Sequence, residues 1–213
     1  MNYPNLFEEK KLWRKGYKRV VCLDEAGRGP IAGPVTAAAV TISPAKFKMQ
    51  NEKCKILLKK IKDSKKLLPK KREEFYKILT KHPAIKWGIA RVSERVIDKI
   101  NILEATKLAM KRAVKKLKGK PVFLILDGKM KLDLPVPQKS IIKADEKVFS
   151  CAAASIIAKV TRDRIMKRYH KKYPQYDFDK HKGYPTKLHK KILKKYGPCK
   201  IHRKSFKPLK KSN

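Results

Sequence analysis

The sequence VVCLDEAGRGPIAGPVTAAAVTI, residues 20–42, contains two apolar runs separated by a loop rich in glycine and proline. Two acids, Asp24 and Glu25, follow the first run, and the second run consists of small and β-branched residues. Short apolar runs bounded by Gly and Pro are typical of β-strands joined by a compact connection. The segment therefore predicts two neighbouring strands, with a pair of carboxylates where the first strand ends.

The rest of the chain alternates helical and extended patterns around these strands. The apolar runs 85–92 and 121–126 predict two further strands, and Asp127 follows the second of them. Helical spacing of apolar residues predicts helices over 65–80, 102–117, 147–170 and 187–196, with Pro69 opening the first region and Thr186 capping the last. Because the first two strands are hairpin-like, we predict an α/β fold in which helices flank a mixed sheet, with a C-terminal helical extension.

Basic residues outnumber acidic ones threefold. The chain has 213 residues, of which 57 are Lys or Arg and 18 are Asp or Glu, so its formal net charge is +39 at pH 7. A hydrophobic fraction of 42%, gathered in Val, Ile and Leu runs, supplies enough apolar surface for a folded core. Most of the basic residues are lysines, which contact phosphate as point charges. We predict a polyanion bound through its backbone, although solubility explains any single lysine equally well.

Membrane and secretory signals are not evident in the sequence. No apolar run approaches the roughly 18 residues of a membrane span, and MNYPNLFEEK lacks the basic-then-apolar layout of a signal peptide. We expect a soluble protein of the cytoplasm. The cysteines have no C-x-x-C spacing and are expected to be reduced and structural; they are Cys22, Cys54, Cys151 and Cys199.

The acidic residues of interest fall where apolar runs end or helices begin. Asp24, Glu25 and Asp127 follow predicted strands, and Asp145 opens the alanine-rich helix. Carboxylates crowded at the ends of buried strands raise one another's pKa and are costly unless a cation neutralises them. Oxygen ligands without a Cys or His pattern favour Mg²⁺ or Mn²⁺ over zinc. This predicts metal-assisted phosphodiester chemistry; the alternative is that the acids are turn or helix-cap residues.

The glycines between the first two strands do not match a nucleotide-binding loop. Gly27, Gly29 and Gly33 are spaced G-x-G-x-x-x-G, Pro30 interrupts them, and no Gly-Lys-Ser/Thr follows. Neither the dinucleotide-binding motif nor the Walker motif is therefore present.

Several blocks, in order along the chain, resemble the type 2 ribonucleases H, the ribonuclease HII family. The longest is LDEAGRGPIAGPV (23–35). The others are DSKKL (63–67), NILEAT (101–106), LDG (126–128), KAD (143–145), AAASIIAKVTRD (152–163), HKGYPT (181–186) and HRKSF (202–206). The resemblance covers residues 17–206, which we take as the catalytic domain, between an N-terminal tail (1–16) and a basic tail (207–213).

The resemblance implies a ribonuclease H fold and an active site of four carboxylates that bind two Mg²⁺ or Mn²⁺ ions. By motif these carboxylates are Asp24, Glu25, Asp127 and Asp145, and Glu146 adds an acid beside the last. The implied reaction is hydrolysis of RNA in RNA–DNA hybrids and cleavage 5′ of ribonucleotides embedded in duplex DNA. Its products carry 5′-phosphate and 3′-hydroxyl ends.

The resemblance also implies how ribose is distinguished from deoxyribose. This role falls on the backbone of Gly27, Arg28 and Gly29, together with Tyr184 of HKGYPT. Glycine lets a backbone approach a sugar closely, and the 2′-hydroxyl is the group that marks RNA. An aromatic ring can stack on the adjoining sugar or base.

Three basic residues are candidate phosphate contacts. Lys65 and Lys159 are chosen by motif and Arg72 by position, and solvated side chains are an equally good explanation. The histidines of the C-terminal blocks lack zinc-ligand spacing and are assigned no catalytic role. Ser155 is interpreted as helix packing.

The remaining features concern partners and competing functions. Ala144 and Pro185 stand where glycine is commoner in the family, and the tail KPLKKSN has no clamp-binding motif. We predict no clamp partner and expect a monomer that acts in replication repair and primer removal. The competing class is a non-catalytic basic nucleic-acid-binding protein, and a weaker alternative is a phosphodiesterase of different specificity. Hydrolysis that depends on a divalent ion separates the first two.

Overall fold

A computed structural model describes residues 4–47, 61, 67–117 and 119–209 of the chain. It contains a five-stranded sheet in the order β3-β2-β1-β4-β5. The strands are β1 (Val20–Ala26), β2 (Val35–Ile42), β3 (Ile85–Val92), β4 (Phe123–Asp127) and β5 (Gln138–Ile141). The two apolar runs of residues 20–42 thus form adjacent strands, as predicted.

Strand β1 joins the antiparallel and the parallel halves of the sheet. It pairs antiparallel with β2 and parallel with β4. The outer pairs repeat this division, because β2 and β3 are antiparallel whereas β4 and β5 are parallel. The mixed sheet predicted from the hairpin-like start of the chain is confirmed.

Helices cover both faces of this sheet. They are α1 (Phe7–Arg14), α2 (Pro69–Lys81), α3 (Glu94–Lys115), α4 (Ala144–Lys147), α5 (Phe149–Lys172), α6 (Phe178–His181) and α7 (Lys187–Tyr196), with a 3-10 turn at Pro174–Tyr176. In β2, Ala38 and Val40 pack in the core on the α5 side, whereas Ala37 and Ala39 pack on the α3 side. This alternation is the period of two expected for a strand buried on both faces.

Helix α3 extends toward the N-terminus beyond the apolar pattern of residues 102–117. It starts at Glu94, after Ser93, and is interrupted at Asn101, whose φ of 63° is left-handed. The Asn101 side chain accepts hydrogen bonds from the backbone N–H groups of Leu103 and Glu104. The break therefore carries its own N-cap, which explains why the helical pattern is clear only from residue 102 onward.

The segment around Asp145 also differs from the prediction. Asp145 lies in the one-turn helix α4 and not in the alanine-rich helix α5, because Val148 has extended backbone angles (φ −112°, ψ 120°) between the two. Strand β5, with the polar sequence QKSI, was not predicted. A separate turn beside the sheet thus holds Asp145.

The C-terminal extension packs on a core cluster that includes Ile31, Met166 and Phe178. Thr186 caps α7 as predicted, since its Oγ1 accepts a hydrogen bond from the backbone N–H of His189 at 3.2 Å. Within the described ranges, no helix has the length and apolar character to cross a bilayer.

Three of the four cysteines belong to the described residues, and all three are free thiols. Cys22 and Cys151 are buried, and Cys199 is half-buried. Their prediction as reduced, structural residues fits this placement. Cys54 and Lys65 lie outside the described residues.

Candidate active site

Asp24 and Asp127 lie at the carboxyl ends of two neighbouring parallel strands. Strands β1 and β4 pair in the register Leu23 to Leu126, so the next residue along each strand is an acid. The carboxyl ends of parallel strands are where α/β sheets commonly place their sites. The sheet itself therefore brings together two carboxylates that are distant in sequence.

The carboxylate of Asp24 is held in a crowded, buried position. It is only 3% exposed, and its Oδ1 accepts a hydrogen bond from the backbone N–H of Glu25 at 2.7 Å. Burial, followed by the negative charges of Glu25 and Asp127, raises the pKa of Asp24 well above its ordinary value. A hydrogen bond from Ser155 of α5 opposes this rise. A cation bound at this carboxylate would relieve the repulsion.

A hydrogen bond links Asp127 to the turn that carries Asp145. The Oδ1 atom of Asp127 accepts from the backbone N–H of Ala144 at 2.6 Å. Asp145 is 1% exposed, and its charge acts on Asp24. The neighbouring Glu146 instead has a side chain 45% exposed, and it pairs with Lys143 at 3.4 Å. Of the two adjacent acids, Asp145 is the one that belongs to the carboxylate cluster.

A cavity of about 360 Å³ adjoins these carboxylates. It is lined by most of the site residues predicted from the sequence: Asp24, Glu25, Gly27, Arg28, Gly29, Arg72, Asp127, Lys159 and Tyr184. Ser155, which was predicted to serve helix packing, also lines it. Residues from β1, β4, α2, α5 and the segment before α7 therefore meet in one place.

Residues 21–209 match the family model described as ribonuclease HII. The chain belongs to the ribonuclease HII family. A ribonuclease HII of Chlamydia trachomatis is 49% identical over 214 residues, covering 97% of this chain and 93% of that protein. The crystal structure of ribonuclease H2 from Pyrococcus horikoshii matches with a TM-score of 0.73 and 27% identity, covering 90% of this chain and 95% of the other. The ribonuclease HII of Archaeoglobus fulgidus, solved in a complex with PCNA, matches with a TM-score of 0.70 and 26% identity, covering 91% and 98%.

Membership of the ribonuclease HII family confirms the predicted fold and enzyme class. The protein is an endonuclease of the ribonuclease H kind, and its mixed sheet with flanking helices is similar to the solved ribonuclease H2 structure. The alternative of a non-catalytic basic protein is not favoured by these relationships.

A fully buried arginine, Arg162 of α5, supports the loop between β1 and β2. Its Nε donates to the carbonyl oxygen of Pro34, its Nη2 to that of Ala32 and its Nη1 to that of Lys182, each at 3.0 Å. Burial lowers the pKa of Arg162 to about 10, so the guanidinium is charged at neutral pH. The charge is thus balanced by backbone dipoles of the ribonuclease HII signature loop.

A second fully buried arginine, Arg203, supports the same loop from the C-terminal segment. It donates to the carbonyl oxygens of Gly33 at 2.9 Å, Arg28 at 3.1 Å and Gly27 at 2.6 Å. Burial lowers its pKa to about 9, which again leaves it charged at neutral pH. Arg203 therefore fixes the backbone of the Gly-Arg-Gly segment, and Arg162 fixes the part of the same loop at Ala32 and Pro34.

Neither arginine was among the site residues predicted from the sequence, although both lie in the blocks that resemble the family. A signal was available for Arg162: it follows Ala158 by four residues and precedes Met166 by four, so it interrupts the buried stripe of α5. A charged residue inside an apolar stripe indicates a buried polar contact.

The two outer glycines of the Gly-Arg-Gly segment are needed for different reasons. Gly27 has a φ of 101°, and a Cβ there would collide with the Arg162 guanidinium. Gly29 does not have a left-handed φ, and a Cβ there would make only an ordinary contact, 3.7 Å from Cε1 of Tyr184. The protein itself therefore requires glycine at 27 but leaves room for a side chain at 29.

Two basic residues of the cavity, Arg72 and Lys159, are oriented by one acid of α5, Asp163. Lys159 donates to it at 2.8 Å, and a guanidinium nitrogen of Arg72 lies 3.7 Å from its other oxygen. The Lys159 ammonium is also 5.8 Å from the centroid of the Tyr184 ring. Two predicted phosphate contacts and the predicted sugar contact are thus neighbours.

The donor set of the carboxylate cluster fits a divalent cation that prefers oxygen. The described residues that line the cavity include the acids Asp24, Glu25 and Asp127, and they include neither histidine nor cysteine. Asp24 and Asp145 are almost completely buried, which makes the accumulated negative charge costly without a cation. Hard carboxylate oxygens suit Mg²⁺ or Mn²⁺.

A separate group of metal-ligating side chains lies near the C-terminal end of α5. One ligand atom from each of His170, Asp177 and Asp179 lies within 4.8 Å of the others. Contacts within the protein account for this group, because Lys180 donates to Asp177 at 3.1 Å and His170 lies 3.2 Å from Asp179. It shares no residue with the predicted active site.

Proposed function

We propose that this protein is a divalent-metal-dependent endonuclease that hydrolyses RNA in RNA–DNA hybrids and cuts 5′ of ribonucleotides embedded in duplex DNA. The observation that carries the proposal is the lining of one cavity. Asp24 and Asp127 line it together with Gly29 and Tyr184, so a metal-binding donor set adjoins a surface suited to a sugar.

Asp24, Glu25, Asp127 and Asp145 would hold two Mg²⁺ or Mn²⁺ ions. Such ions, when bound, activate the attacking water and stabilise the leaving 3′ oxygen. The backbone N–H groups of Glu25 and Ala144 orient the carboxylates of Asp24 and Asp127. Cleavage on this pattern leaves 5′-phosphate and 3′-hydroxyl ends.

Ribose recognition is proposed at the Gly-Arg-Gly segment and Tyr184. The space that the protein leaves beside Gly29 allows a sugar to approach the backbone, where the 2′-hydroxyl can be sensed. Tyr184 is 41% exposed and lies against Gly29, so its ring can stack on the adjoining sugar or base.

The phosphates are proposed to bind to Arg72 and Lys159, with Lys65 added by motif. Arg72 and Lys159 are oriented by Asp163 at the cavity, which lowers the entropy lost when a phosphate arrives. The net charge of +39 supplies attraction along the rest of the duplex.

The proposed context is removal of RNA primers and embedded ribonucleotides during replication and repair, by a monomer in the cytoplasm. The Archaeoglobus fulgidus relative is described in a complex with PCNA. For this chain the absence of a clamp partner stays a prediction.

The proposal is tested with an end-labelled DNA duplex that carries one ribonucleotide, incubated with and without Mg²⁺ or Mn²⁺. We expect a metal-dependent cut 5′ of the ribonucleotide and none in an all-DNA duplex. Asp24→Asn is expected to abolish the cut, and Tyr184→Ala to slow it by about 10- to 100-fold through misplacement of the sugar. Tyr196→Ala removes an exposed tyrosine at the end of α7 and is expected to leave the rate unchanged.

Two outcomes would contradict the proposal. Duplex binding without cleavage in either metal would indicate a nucleic-acid-binding protein. Comparable cleavage of the all-DNA duplex would indicate a phosphodiesterase that does not sense the 2′-hydroxyl.

A further inference from the structure

Two buried histidines connect the C-terminal segment to Tyr184. His189 of α7 is completely buried and His202 is 3% exposed. Their Nε2 atoms lie 3.0 Å apart, so one proton must lie between them. We refer to His189 and His202 as the histidine pair.

The carbonyl of Tyr184 fixes the proton positions on His189. The Nδ1 atom of His189 lies 2.9 Å from this carbonyl oxygen, which can only accept a hydrogen bond. Nδ1 must therefore carry hydrogen. In a neutral imidazole the other nitrogen is then an acceptor, so Nε2 of His189 accepts.

The contacts of His202, the other member of the pair, indicate the same direction of hydrogen-bond donation. Nδ1 of His202 lies 2.9 Å from the backbone nitrogen of Cys199, whose N–H can only donate, and farther, 3.3 Å, from the Cys199 carbonyl oxygen. Because Nε2 of His189 accepts, Nε2 of His202 must be the donor between the two rings. Nδ1 of His202 is therefore an acceptor and its Nε2 carries the proton. The hydrogen bonds run from Cys199 to His202, to His189 and to the carbonyl of Tyr184, with each ring neutral and in a single tautomer.

Arg203, which follows His202 in the sequence, supports the other half of the proposed sugar site, the Gly-Arg-Gly segment. Arg203 donates to the carbonyls of Gly27 and Arg28, and its backbone N–H donates to Ile31. His202 and Arg203 are adjacent in sequence. One dipeptide thus contacts the Gly-Arg-Gly segment directly and Tyr184 through His189.

We propose that the histidine pair is a positioning device that sets the Tyr184 ring relative to the Gly-Arg-Gly segment, and thereby the placement of the ribonucleotide. The proposal rests on the function proposed above for Tyr184. His189 and His202 touch no substrate in this scheme and act only through the Tyr184 backbone.

The surroundings of the pair favour neutral rings. The titratable groups that face it are His181 of α6, stacked on His189 at 4.1 Å, Tyr176 of the 3-10 turn, and Cys199. Around His181 lie Asp177, Asp179 and Lys182. Burial lowers the pKa of His189 and of His202 to about 4. A proton added to either ring would place two N–H groups against each other or a cation beside His181.

The first test reads the tautomers directly. In ¹⁵N NMR spectra of the imidazoles at pH 6, His189 is expected in the Nδ1–H form and His202 in the Nε2–H form, both neutral. A charged ring at pH 6, or the Nε2–H form of His189, would overturn the proposal. This measurement needs no substrate, so it does not depend on the proposed function.

The second test is a double-mutant cycle on a duplex with one ribonucleotide. His202→Leu removes the donor to His189 and is expected to lower kcat/KM by about 10- to 100-fold, mainly through kcat. In a Tyr184→Ala background the same change is expected to cost less than about threefold, because it acts through Tyr184. His202→Gln keeps a donor near Nε2 and is expected to restore most of the rate.

Phe178→Leu is the matched control for loss of packing. Phe178 contacts both histidines of the pair by its ring but makes no hydrogen bond to Tyr184. We expect it to lower Tm while leaving kcat/KM within about threefold. If His202→Leu fails to fold, His202→Gln and the NMR measurement still decide the matter.

The outcomes separate this proposal from the proposed function. If Tyr184→Ala has no effect on cleavage, the sugar-recognition proposal fails. If Tyr184→Ala slows cleavage but His202→Leu has the same effect in both backgrounds, only the positioning role of the pair fails.

Discussion

Two kinds of buried charge lie at the segment 24–34, namely a carboxylate at its start and two arginines that pack behind its loop. At its start, Asp24 is 3% exposed, and its pKa is raised by burial and then by the negative charges of Glu25 and Asp127. Behind its loop, Arg162 and Arg203 are completely buried, and each donates three hydrogen bonds to backbone carbonyls. The acids repel one another, whereas the arginines are satisfied by the chain.

This difference predicts opposite consequences for the two sets of residues. Neutralising an acid should relieve repulsion in the metal-free protein but remove a ligand needed for the chemistry. Neutralising a buried arginine should leave three carbonyl groups without donors, which destabilises the fold. Removing one charge from the acids should therefore reduce activity without loss of stability. Removing one charge from the buried arginines should reduce stability.

The largest effect is expected for Asp127→Asn. The amide oxygen can still accept from Ala144, but the ligand charge is lost, so cleavage should fall by at least about 10³-fold. Without divalent ions, Tm should be unchanged or higher by about 2–4 °C, since about 1 kcal/mol of repulsion is relieved. Thermal unfolding and cleavage are measured on the same preparation. A clearly lower Tm without divalent ions would contradict the expected difference between the acids and the buried arginines.

Next in size is the effect of Arg162→Met compared with Arg164→Met in the same helix. Arg162→Met should reduce the free energy of unfolding by about 3–5 kcal/mol, because three buried carbonyls lose their donor. Arg164 is 41% exposed and pairs with Glu73 at the surface, so its replacement should cost about 1 kcal/mol or less. Urea unfolding measures both. Equal losses would show that the buried hydrogen bonds are not what stabilises the loop.

Salt should weaken the interactions of the exposed lysines much more than those of the buried arginines. If about four phosphates are neutralised, duplex affinity should fall roughly 100-fold between 50 and 200 mM salt. The contribution of the buried arginines should change little, since burial limits screening. Binding titrations and the Arg162→Met stability difference are compared at both salt concentrations. A flat binding curve would mean that the lysine excess lies away from the interface.

The smallest effect concerns pH and the histidine pair. The pKa of His202 is lowered to about 4 in the folded protein, against about 6.5 when unfolded. As pH falls below 6.5 the unfolded chain gains a proton that the folded chain does not, so stability is lost until about pH 4. Between pH 7 and 5, His202→Gln should lose about 1–2 kcal/mol less than the unmodified protein. Equal slopes in pH-dependent urea unfolding would argue against neutral burial.

The sequence predicted the parts of this molecule that depend on local pattern. Strands β1 and β2, the loop glycines and the acids after two apolar runs were all visible, because a strand and its end are encoded by neighbouring residues. The mixed sheet followed from the hairpin-like start. The register that places Asp24 next to Asp127 could be expected only as a tendency of parallel strands.

The parts that were missed depend on distant contacts. Strand β5 is polar, and its pairing with β4 makes it a strand. Arg203 was treated as one basic residue among many, since no local pattern shows that it reaches the carbonyls of Gly27 and Arg28. Likewise, the spacing of the C-terminal histidines excluded a zinc site but gave no sign that His189 and His202 are hydrogen-bonded to each other.

The central place of β1 in the sheet has a consequence for how the enzyme is assembled. Its pairing with β2 and that of β2 with β3 join strands that are successive in the chain, whereas β4 reaches β1 from about a hundred residues away. Arg203, which supports the loop after β1, is synthesised later still. We therefore expect the antiparallel half to form early and cleavage competence to arise only late in translation. A partly synthesised, strongly basic chain beside ribosomal RNA would then be able to bind nucleic acid but not to cut it.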